Sequence, residues 1–125
     1  MAESARAGRS PAGRARRDRG MVTLELALAS LGAAAVLVVL AWVLTVLMLL
    51  VRCQDTATGI VRQEARGDHD ASARVAARRP DGAQVTTRRQ GDEIQVVVVL
   101  DARPWADWLP SVPLTASATA IAEPA

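Results

Sequence analysis

The sequence predicts an α+β protein: a long N-terminal transmembrane helix continuing into an amphipathic helix, a short second helix, and a three-stranded antiparallel sheet. Three observations carry this. Met21 to Val51 is a run of 31 residues with one charge, Glu25. Past Val51 the apolar residues recur at helical spacing as far as Gly67. Beyond Pro80 the spacing drops to the period of two that suits a strand, with turn residues between the runs.

The apolar run sets the architecture. From Leu26 to Val51 no residue is charged, and as a helix rising ~1.5 Å per residue these 26 residues reach about 39 Å. A bilayer core takes about 20 residues. A cleaved secretory signal is the competing reading, but its apolar region runs to only about 15 residues. The small residues of SLGAAA (30–35) lie in mid-run, with sixteen mostly apolar residues after them.

Residues 1–20 precede this run and read as a basic leader. They hold six Arg against Glu3 and Asp18, a local charge of +4, and almost no large apolar side chain. Such a segment buries too little surface to fold by itself, so the expectation is a disordered leader. The rest of the chain divides into a transmembrane helix, residues 21–51, and a small extracytoplasmic α+β domain, residues 52–125. From Arg52 onward nine Arg face ten acids. Positive charge ahead of an apolar run predicts a cytoplasmic N-terminus and an extracytoplasmic C-terminus in a single-pass membrane protein.

All 15 basic residues are Arg, and Lys, Asn, Phe and Tyr are absent. That pattern suits the codon bias of a GC-rich genome, so no nucleic-acid partner is read from it. The rival reading, a tail that binds nucleic acid, has no aromatic or folded element to support it.

In the segment after Val51, Cys53, Ala57, Ile60, Val61 and Ala65 share a helical face, opposite Arg52, Asp55 and Arg62. One helix is therefore expected from about Met21 to Arg66, with Gly59 as its weak point and Gly67 just past its end. Asp68-His69-Asp70 forms a polar joint. Asp70 is the expected cap of a second helix from Ala71 to about Arg79, which Pro80 ends. Asp81-Gly82 turns the chain into strands Ala83–Arg89 and Ile94–Asp101, joined as a hairpin at Gln90-Gly91-Asp92. IQVVVVL is β-branched and nearly continuous, so this strand should be central and the most buried. Pro104 to Pro110 connects to a last strand, in which Leu114, Ala116, Ala118 and Ala120 alternate with Thr115, Ser117 and Thr119.

Few residues offer chemistry. A lone His, a lone Cys and no Lys or Tyr leave hardly any general acid–base groups, so the chain does not read as an enzyme and no cofactor or small-molecule substrate is implied. Cys53 suits a small buried helix position, an intermolecular disulfide being the alternative. His69 between two Asp reads as a solvated linker and not a metal site. Trp105 and Trp108 could sit at a membrane interface. With so few large side chains available, packing in the core or at a subunit interface is the expectation. Glu25, an acid in an apolar helix, has two readings. It is a residue of the cytoplasmic rim, favoured by the helix dipole, or it pairs with a cation on a neighbouring chain.

The join itself reads Arg17-Asp18-Arg19-Gly20-Met21-Val22-Thr23-Leu24-Glu25. A basic leader ending in Gly, an apolar helix starting at once and a Glu at its fifth residue are similar to the processing site of type IV prepilins. RGMVTLELALA, the VRCQDTATGIVRQEARGD segment, the small sheet and the IAEP ending together resemble the TadE-like minor pilins (pseudopilins) of tight-adherence, Flp-type pili. The likeness covers residues 18–125. It implies cleavage between Gly20 and Met21 by a prepilin peptidase, and a mature chain beginning at Met21. It also implies pairing of Glu25 with the α-amino group of a neighbouring subunit. The implied partners are other pilin subunits, the pilus assembly machinery and membrane lipid. Many type IV pilins start the mature chain with Phe where this one has Met21, a departure that bears on N-methylation. The alternative is an uncleaved single-pass anchor whose small outer domain binds a partner, accessory to secretion.

Overall fold

The computed structural model describes residues 11–103, 105 and 107–124. Helix α1 spans Pro11–Ala65, α2 His69–Ala77, and strands β1 (Gln84–Gln90), β2 (Glu93–Ala102) and β3 (Val112–Ile121) form one sheet in the order β1-β2-β3. This is the α+β arrangement read from the sequence. The chain falls into two units that part between Leu40 and Ala41.

Among the described residues the first unit consists of the early part of α1. The expected disordered leader is corrected for residues 11–20, which are helical; residues 1–10 lie outside those described. Pro11 stands at the first helical position, where its missing N–H costs nothing and its fixed φ suits a helix. The Ala and Arg that follow are strong helix formers. Every described side chain from Asp18 to Val36 is exposed. The hydroxyls along α1 bond back one turn: Thr23 Oγ1 to the Arg19 carbonyl (2.8 Å), Ser30 Oγ to Leu26 (2.8 Å) and Thr45 Oγ1 to Ala41 (2.9 Å). In hydrocarbon this matters, because an unpaired polar group there costs several kcal/mol. By length and composition α1 holds a stretch able to cross a membrane.

The second unit is built on the end of α1. Its exit is a Schellman motif: Asp68 N–H donates to the Gln63 carbonyl and Gly67 N–H to Glu64, both 3.0 Å, with Gly67 at φ +74°. Asp68 then caps α2, its carboxylate accepting from Ala71 N–H at 2.9 Å. The expected cap, Asp70, sits instead inside the first turn. One residue thus closes one helix and opens the next, which draws α2 back along α1.

In the sheet, Gln90 pairs with Glu93 across Gly91-Asp92, and Gly91 adopts φ +62°. A two-residue hairpin loop with Gly first and positive matches a type II′ turn, whose twist suits the strands. β2 is central, as its composition predicted, but only one face is fully covered. Ile94, Val96, Val98, Leu100 and Ala102 are buried, while Val99 on the other face is 41% exposed. The buried face meets Leu114 and Ala116 of β3 and, from α1, Cys53, Ala57, Ile60 and Val61. Ala65 of the expected helix face is half-buried. Val46, Leu49 and Leu50 also pack on this core, so the end of the apolar run belongs to the second unit.

Candidate processing and assembly site

Gly20, Met21 and Glu25 all lie on the early part of α1, and the helix runs unbroken through the Gly20–Met21 bond. Met21 and Glu25 are four residues apart, so their side chains lie one above the other on one helical face. Both are exposed. A Cβ built on Gly20 meets no atom within 4 Å. Among the described residues nothing packs against Gly20, and Gly weakens a helix by roughly 0.5–1 kcal/mol relative to Ala. Among the described residues no ion pair involves Glu25; the one recorded joins His69 to Glu64.

The remaining candidates lie in the second unit, away from that junction in sequence. Cys53 is fully buried in the core beside α2 and β2, as its position on the apolar helix face suggested. Burial raises its thiol pKa, which keeps it protonated and unreactive. His69 is part of helix α2 and not a loop. Its Nδ1 lies 3.1 Å from Glu64 Oε2, and the same carboxylate accepts from Ser72 Oγ. This group ties the start of α2 to the end of α1. Among the described residues no cluster of three His, Cys, Asp or Glu could hold a metal ion. Trp105 and Trp108 overturn the expectation of core packing: they are 61% and 73% exposed. Pro104 and Ala106 of their connection lie outside the described residues.

Two features escaped the sequence reading. Gly59, taken as a weak point, is where α2 approaches: a Cβ there would sit 2.8 Å from Val75 Cγ1. The other is an open cleft of about 710 Å³ at the base of the second unit. It lies between α1 (Leu49, Arg52), the α2–β1 turn (Asp81) and the end of β2 (Asp101, Arg103). Neither follows from periodicity, because both arise where segments distant in sequence meet. No protein-family model, curated protein or solved structure matches this chain.

Proposed function

We propose that this chain is a pilin-like structural subunit or assembly factor of a type IV, tight-adherence pilus. In this reading a prepilin peptidase removes residues 1–20 and the N-terminal helix anchors the product. The observation that carries it is the join: basic leader, Gly20, an apolar helix from Met21, and Glu25 as the fifth residue of that helix. The exposure of Met21 and Glu25 on one face supports it, since both are free to meet a neighbouring helix. Cleavage creates an α-amino group at Met21, largely charged at neutral pH because its reference pKa is about 7.7–8.0. A neighbouring helix displaced along the axis by four residues, ~6 Å, brings that cation level with its Glu25 carboxylate. Pairing the two fixes an axial stagger between subunits, which self-pairing within one chain does not.

The uncleaved anchor is a second reading, favoured by the helical backbone through Gly20–Met21. One experiment in the native host separates them. N-terminal sequencing of membrane-extracted protein is expected to read MVTLE, and retention of residues 1–20 beside an active peptidase leaves the anchor. In the same cells Glu25→Gln is expected to insert and be processed normally, yet to crosslink less to other pilins. Equal crosslinking would make Glu25 a rim residue only.

A further inference from the structure

We propose that Trp105 and Trp108 seat the outer unit in the lipid headgroup layer, as a second membrane contact beside the spanning helix. The inference rests on α1 crossing a bilayer and is independent of leader cleavage.

The position of the loop carries the argument. Val112 pairs with Ala102 at the last rung of the sheet, so the described residues of the connection, Arg103, Trp105 and 107–111, lie past that rung. Arg103, at the start of this excursion, lines one cleft with Leu49 and Arg52 of α1. The loop therefore leaves the sheet at the level where the apolar run stops. A hydrocarbon core of ~30 Å takes about 20 residues, which counted from the residue after Glu25 ends near Thr45. Leu49 to Arg52 then stand about 6–10 Å further along the helix, at ~1.5 Å per residue. Headgroups occupy that depth.

The side chains suit it. Both Trp rings are mostly exposed although the unit contains a core able to take apolar groups. An indole has an apolar body and one N–H donor, and Trp is enriched where one end of a side chain is dry and the other wet. Arg52 and Arg103 have long stems that reach a polar layer while covering apolar surface. Asp81 and Asp101 line the same cleft. The cleft is therefore charge-balanced, so the rings, and not a net positive field, make the contact. The occupant is the headgroup layer of the bilayer that holds α1.

The test uses the full chain in phosphatidylcholine vesicles whose acyl chains carry bromine, a Trp quencher, either close to the headgroup or near the bilayer centre. Trp42→Phe leaves emission from Trp105 and Trp108 alone; a Trp105→Phe/Trp108→Phe double variant leaves Trp42 in the helix. The Trp42→Phe protein is expected to lose more emission to the shallow bromine than to the deep one. It should also resist quenching by aqueous iodide. If Trp42 is quenched by lipid bromine while the loop rings are quenched only by iodide, the headgroup seat is wrong and the spanning helix stands. Loop rings shielded from both quenchers would place them against a second copy, which also overturns the proposal. If Trp42 itself escapes every bromine, the membrane reading fails and takes this inference with it.

Discussion

Leu37 and Leu100 are the same residue in two regions of one chain, yet Leu37 is 66% exposed and Leu100 5%. From Leu26 to Leu40 the helix is uncharged and apolar on every side, and offers no stripe to a partner element. From Val46 onward the same helix carries a stripe, Leu49, Leu50, Cys53, Ala57, Ile60 and Val61, and a sheet covers it. A helix that is apolar all round needs an apolar solvent, whereas an amphipathic one makes its own core. Apolar content alone does not distinguish these cases; its angular distribution does. The change falls inside the uncharged run, before the first charge at Arg52.

The widest separation between the two regions is expected from a large-to-small change in each. Ile94, 1% exposed, is among the largest fully buried side chains, so Ile94→Ala should cost about 2–5 kcal/mol. Thermal melting of the second unit in detergent would read this loss. Leu37→Ala should leave that transition in place. A matching drop for Leu37→Ala would erase the contrast, because it would mean the first region is packed against the second.

A smaller effect is expected at the close approach of the two helices. Gly59→Ala sets a Cβ against the stiff side chain of Val75, and overpacking costs about 1–3 kcal/mol. Ala's better helix propensity returns about 0.5–1 kcal/mol of this. A net loss should remain, and it should shrink or reverse in a Val75→Ala background. A loss unchanged by Val75→Ala would mean the contact is not its source. The smallest change is Asp68→Ala, which removes the α2 cap and should cost about 1 kcal/mol in the same melt. Asp70→Ala, although adjacent, should cost less, because Asp70 has only the helix dipole to act on. The reverse order would restore Asp70 as the cap.

Residues whose role depends on local pattern were legible in the sequence. The alternation of Leu114, Ala116, Ala118 and Ala120 placed β3, and Cys53 to Val61 placed the packed helix face. The β-branched run of β2 placed it at the centre but overstated its cover, since a three-stranded sheet with helices on one side leaves Val99 facing outward. The helical start at Pro11 was missed because the lack of large apolar side chains was read as disorder, while Ala and Arg favour a helix. Asp68 and Asp70 are both competent caps, and the choice depended on where α1 stops. Trp105 and Trp108 were assigned by size to the core or to a subunit interface; their exposure rules out the core, and size is blind to where their connection projects. For Gly20, Met21 and Glu25 the sequence supplied the spacing, and the structure adds the exposure of Met21 and Glu25 on a shared helical face.

Two hydrogen bonds that tie β3 and the residues just after it to α1 have a consequence in time. Gln54 Nε2 donates to the Ser117 carbonyl at 3.2 Å across 63 positions, and Glu123 N–H donates to the Ala65 carbonyl at 2.9 Å. By contrast, β1 and β2 meet through a two-residue loop. Hairpins form in about 1–10 μs, whereas contacts distant in sequence require costly loop closure before they give any return. The order of assembly is therefore expected to be the strand pairs and the helix first, then docking of the sheet on α1 as the slow step. Until that docking, the apolar row from Ile94 to Leu100 lacks its cover of Cys53, Ala57, Ile60 and Val61. The unit is then most open to association with another chain, so the rate of this docking sets how long it needs protection after synthesis.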